Sequence, residues 1–144
     1  MSLQRFLDAQ QDVYPAALAE LRAGTKRSHW MWFVFPQLAG LGRSATARHF
    51  AIRDLAEARA YLAEPTLRAR LVEASRAVGE WAGKRSLEAI FGEIDALKFV
   101  SSLTLFEQVA SAADRGVFAG ALDGLAAGRR DAGTLGLLGL TCRS

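Results

Sequence analysis

The chain has one cysteine (Cys142), three prolines, two histidines and no asparagine in its 144 residues. A lone thiol excludes an internal disulfide. With only two histidines beside it, there is no ligand spacing for a structural zinc ion, and no metal or cofactor is expected. Low cysteine use fits a reducing cytoplasm. The first residues, Met1 to Asp8, lack a basic stretch followed by an apolar core, so no signal peptide is expected. The longest uncharged apolar stretch, from Trp30 to Gly42, is interrupted by Pro36, Gln37 and two glycines. It is too short to cross a bilayer, so no membrane partner is expected. No Asn-Gly or Asp-Gly turn separates two alternating runs, so hairpins are not signalled. Glycine-rich dinucleotide and phosphate-loop signatures are absent, as are the His-Glu-x-x-His and Gly-x-Ser-x-Gly motifs.

What the chain does have is apolar residues at helical spacing almost throughout, with 51% of residues hydrophobic and 23% charged. That composition excludes a disordered chain and suits one compact domain. Leu3, Phe6, Leu7 and Gln10 start a first short helix. Pro15 suits the first turn of a second, with Leu18 and Leu21 on one face and Gly24 as its stop. Ser44 caps a short helix through Ala51. Asp54, with Glu57 three residues on, has capping-box spacing for a helix to about Glu64. Pro65 opens the next, carrying Leu67, Leu71, Ala74 and Val78 and stopping near Gly83. Ser86 caps a short helix ending at Gly92. A long apolar helix is predicted from Ile94 to Ala112, and Asp114 can cap the one after it, which ends near Gly128. Trp30 to Phe35 has the composition of a buried strand, but a lone strand has no partner, and a short helix capped by Ser28 is the preferred reading. The fold class is all-α, with six to eight helices in one domain over 1–140 and a frayed tail over 141–144.

Three features could carry chemistry. Lys26 to Gln37 packs Lys26, Arg27, His29, Trp30, Trp32 and Gln37 into twelve residues. Aromatic faces can stack a planar ring, cations can hold a phosphate or carboxylate, and histidine changes charge near neutral pH. The bland alternative is that the aromatics are core. The second feature is charge. The net charge is only +3, but the six basic residues from Arg22 to Arg53, Arg43 among them, stand without one acid. That asymmetry predicts a positive face attracting an anion. The cations are scattered and no nucleic-acid-binding motif is present, so nucleic acid is not an expected partner. The third feature is Asp95, Lys98 and Ser102, which share one helical stripe by their spacing. On a helix apolar on nearly every side, Lys98 needs a partner, and Asp95 is the obvious one.

The segment from Lys26 to Gln37, continued by Gly40-Leu41-Gly42-x-Ser44, resembles a mostly bacterial family of small proteins of unknown function. That family is marked by Lys-x-x-His-Trp-Met-Trp-Phe-x-Phe-Pro-Gln. The resemblance runs nearly full length, through Phe6, Ala9-Gln10, Glu57-Ala58-x-Ala60-Tyr61-Leu62, Pro65-x-Leu67-x-x-Arg70-Leu71, Phe91-Gly92-x-x-Asp95-x-x-Lys98 and Ser101-Ser102-x-Thr104-Leu105-Phe106. It implies an all-helical fold and supplies no settled activity. Some family members carry a calpastatin label, and nothing in this sequence supports protease inhibition. Glu64 stands where the family often has histidine, so no role of that histidine is expected here.

Two readings follow. In the first, a polar, aromatic-lined pocket binds a small anionic or nucleotide-like ligand, with turnover left open. His29, Lys98 and Asp95 would carry any catalysis, and Lys26, Trp30, Trp32, Gln37, Arg43 and Ser102 would bind. In the second, the same residues form a buried polar network in a non-catalytic structural or adaptor protein. Both depend on whether two segments about 70 residues apart meet.

Overall fold

A computed structural model describes residues 3–140, and Cys142 with the rest of the tail lies outside them. Among the described residues ten helices follow one another: α1 (Gln4–Gln11), α2 (Tyr14–Arg22), α3 (Met31–Val34), α4 (Ala45–His49), α5 (Leu55–Ala63), α6 (Pro65–Gly79), α7 (Leu87–Phe91), α8 (Glu93–Glu107), α9 (Ala112–Leu125) and α10 (Ala132–Leu137). That exceeds the six to eight expected, because several short turns are helices in their own right. The described residues hold no strand, only an isolated parallel bridge between Leu38 and Ile52.

Most helix starts follow their caps. Asp54 accepts from the Glu57 N–H, Ser44 from Ala47, Ser86 from Ala89 and Asp131 from Thr134. Two expected caps are displaced. Ser28 does not cap α3, whose N-cap is Trp30 without a side-chain bond; the Ser28 hydroxyl donates to Glu20 instead. Asp114 does not cap α9, because Ser111 does. Asp114 instead receives the Arg68 guanidinium in two bonds of 2.7 and 2.8 Å, tying α6 to α9. The long apolar helix stops at Glu107 rather than Ala112.

The core forms where α6 and α8 each pack on α9, with α2 and α5 against α6 and α7 against α8. Trp30, Phe35, Tyr61, Phe99, Phe106 and Phe118 are fully buried in it. Phe35 meets Phe99 edge-on at 5.0 Å, and Phe91 stacks on Phe99 at 5.3 Å. The apolar half of the motif therefore anchors the first third of the chain to the start of α8. Gln10, 1% exposed, donates to the Phe33 carbonyl at 2.6 Å and to the Tyr61 hydroxyl at 3.1 Å. It thereby satisfies a buried backbone acceptor beneath the same motif.

Gly24 illustrates why glycine closes α2. Its φ is +76°, and a Cβ there would lie 2.8 Å from the Trp81 ring. That ring is held by its own Nε1–H bond to the Leu21 carbonyl at 2.9 Å. Gly24→Ala is expected to destabilise the fold by about 1–2 kcal/mol in a urea titration, from positive-φ strain and the ring contact together. An unchanged midpoint would show that the indole gives way freely.

Candidate functional site

The loop between α2 and α3 is held at several points. Arg85 Nε donates to the Gly24 carbonyl at 2.6 Å, and the Lys26 N–H donates to the Ile90 carbonyl at 2.8 Å. Glu20, on the last turn of α2, binds the rest. Its carboxylate accepts from the Arg27 N–H (2.6 Å), the Ser28 N–H (2.9 Å), the Ser28 hydroxyl (2.7 Å) and the Trp30 Nε1–H (3.0 Å). Partial burial pushes the carboxyl pKa up, but these four donors outweigh it, and the pKa falls from 4.5 to about 2.

This clamp presents Lys26 to α8. Lys26 Nζ lies 3.0 Å from Asp95 Oδ2, while Lys98 Nζ lies 3.6 Å from Asp95 Oδ1. The three side chains are 9%, 20% and 24% exposed in the order Lys26, Asp95, Lys98. The motif segment and the start of α8 therefore meet. The anticipated Asp95–Lys98 pair is present, but Lys26 is the closer partner. Among the described residues neither lysine has another acidic partner. Each ammonium also faces an indole, Lys26 at 5.2 Å from the Trp30 ring centre and Lys98 at 5.3 Å from that of Trp32.

The other candidates divide by position. His29 is exposed between Lys26 and Trp30, with no described residue bonded to its ring. Trp32 is half-buried, whereas Trp30 is 0% exposed, so the Trp30 ring has no surface on which a ligand could stack. Ser102 is also 0% exposed, and its hydroxyl has no bonding partner. The back-bond to a helix carbonyl belongs to Thr104, which reaches Val100 at 2.7 Å. Gln37 is half-buried, and its backbone carbonyl accepts from Ile52 at 2.9 Å. Arg43 is exposed just before α4.

The candidate residues Lys26, Asp95 and Lys98 lie together at partly buried positions, apart from the two larger concavities of the described residues. These concavities of about 360 Å³ lie between α2 and α6 and around Trp81, and no candidate residue lines them. One expectation needs correction, the positive face. The run of unopposed basic residues is partly neutralised by acids from elsewhere, since Arg22 pairs with Glu73, Lys26 with Asp95 and Arg53 with Glu57.

Glu20 is a structural centre of the loop outside the residues expected from the sequence. A signal for it existed, because a carboxylate in the last turn of a helix faces the negative end of the helix dipole. Such a residue is expected to have strong donors nearby.

No curated protein matches the chain. The chain is similar to the crystal structure of the conserved hypothetical protein Rv1873 from Mycobacterium tuberculosis, with a TM-score of 0.90 and 46% identity over 96% of this chain and 97% of that one. The family model described as a protein of unknown function, DUF1810, matches residues 1–138. The chain with the Lys26–Asp95–Lys98 cluster on its surface thus belongs to the DUF1810 family of unknown function.

Proposed function

We propose that the surface formed by Lys26, Asp95, Lys98 and Trp32 binds a small anionic group, a phosphate or a carboxylate. One observation carries this reading: a single carboxylate stands between two ammonium groups, at 3.0 and 3.6 Å, and leaves one positive charge uncompensated. In a partly shielded place such a charge favours a second anion. Lys26 and Lys98 would hold the ligand, Asp95 would set their separation, and the accessible part of Trp32 would offer a ring face. His29, exposed on the same loop, would be the group to exchange a proton with it. The buried Trp30 and Ser102 would support the surface from below. Gln37 and Arg43 belong to this reading only as residues at its margin.

The second reading, a structural network without a ligand, is favoured by the Glu20 clamp. That clamp accounts for the burial of Trp30 and the shape of the loop with no ligand at all.

A thermal-shift series separates the two readings. Inorganic phosphate, nucleotides, sugar phosphates and dicarboxylates are compared at equal ionic strength on the unaltered protein, His29→Ala and Lys98→Ala. At least one of these anions is expected to raise the Tm by about 3 °C or more, with the gain lost in Lys98→Ala. Equal behaviour in all anions and all three proteins would remove the binding reading.

A further inference from the structure

Resting on the anion-binding reading above, we infer that the ligand of this surface is an amphiphile. It would carry its phosphate or carboxylate on a short alkyl or acyl chain, which lies along the first turns of α8.

The two most exposed large apolar side chains described are Ile94, 72% exposed, and Leu97, 67% exposed. Both stand on α8 beside the cationic cluster. Ile94 is one turn before Lys98, at the i, i+4 spacing that makes side chains neighbours on a helix surface, and Leu97 adjoins Ile94 at i, i+3. The strip thus runs from Lys98 across Ile94 to Leu97. It does not end there. Leu97 is also a wall of a concavity of about 200 Å³, lined by the aliphatic Leu87, Ala96 and Val100 and by the charged Glu88, Arg129, Arg130 and Asp131. Charge at one end, exposed aliphatic side chains in the middle and a recess of mixed aliphatic and charged lining at the other end follow one another along α8.

The path suits one molecule better than separate ones. Ile94, one turn before Lys98 on α8, offers an apolar neighbour to whatever an anion held at Lys98 and Lys26 carries. A chain of about six carbons then covers Ile94 and Leu97 and reaches the recess, removing apolar surface from water. A nucleoside would have only the half-buried Trp32 ring to stack on, since the Trp30 ring is sealed in the core, whereas the exposed strip beside Lys98 is aliphatic. Glu93, exposed on the flank of Leu97 away from Lys98, disfavours a second negative charge along the chain.

The experiment is a calorimetric titration with three probes: inorganic phosphate, hexyl phosphate and adenosine monophosphate. It is run on the unaltered protein and on the surface double variant Ile94→Ser with Leu97→Ser. Hexyl phosphate is expected to bind at least about tenfold more tightly than inorganic phosphate. The double variant is expected to lose that preference while keeping its affinity for inorganic phosphate. Equal affinity for the hexyl and inorganic forms overturns the inference and leaves the anion site standing. So does tighter binding of the nucleotide, or a hexyl preference that survives in the double variant. Failure of all three probes to bind removes the anion site and this inference together.

Discussion

Glu20→Ala is expected to destabilise the fold by about 2–3 kcal/mol near neutral pH, although the side chain is only partly buried. The substitution deletes the acceptor of four hydrogen bonds, two from backbone N–H groups, one from the Ser28 hydroxyl and one from the Trp30 indole. Bonds to a charged acceptor are the stronger kind, and a donor left unpaired on a buried side chain adds its own penalty. Trp30 is 0% exposed, so its Nε1–H cannot turn to bulk water without opening the core. The effect has a pH signature. The folded carboxyl titrates at about 2 against an ordinary 4.5, so its contribution is fully present above about pH 4.5 and disappears as pH falls through about 2. Discounted for solvent screening, that pH-dependent share is about 1–2 kcal/mol. Urea titrations at several pH values decide the matter. The gap between the unaltered protein and Glu20→Gln is expected to close across that acid range. A constant gap would mean that the Glu20 charge does not organise the loop.

The same residue shows what was legible in the sequence and what was not. Local signals were readable because their causes are local. Pro15, Pro65, Ser44, Asp54 and Ser86 start helices through bonds or ring constraints that span three or four residues. At the two displaced caps, a partner outside the helix start takes the side chain. Ser28 was claimed by Glu20 rather than by α3. Asp114 was claimed by Arg68, 46 residues away, rather than by the start of α9. The Asp95–Lys98 pair was visible from its spacing on α8, while the closer Lys26 partner comes from a distant segment. Trp30 and Trp32 are two residues apart and chemically alike. Only the packing of α3 distinguishes them, sealing one in the core and leaving the other half-open under Lys98.

Asp95→Ala is expected to cost about 2 kcal/mol, and added anion is expected to restore much of it. The carboxylate is the only acidic partner described for two ammonium groups, one of them, Lys26, 9% exposed. Removing it leaves two like charges facing each other in a partly shielded place, a penalty between those of exposed and buried ion pairs. Phosphate or acetate can then occupy the vacated position. At ten times its dissociation constant such an ion returns about 1.4 kcal/mol. The comparison that matters is with chloride at the same ionic strength, since screening alone eases repulsion equally for all salts. The double variant Lys26→Met with Asp95→Leu separates stability from recognition. Replacing both partners with apolar groups is expected to keep the fold near its original stability while abolishing the specific response to phosphate. If Asp95→Ala is destabilised and chloride rescues it as well as phosphate does, the three charges only fasten the α2–α3 loop to α8. A rescue specific to phosphate or carboxylate would instead mark them as a receptor for an anion, with Asp95 holding the two lysines at the spacing that a ligand requires.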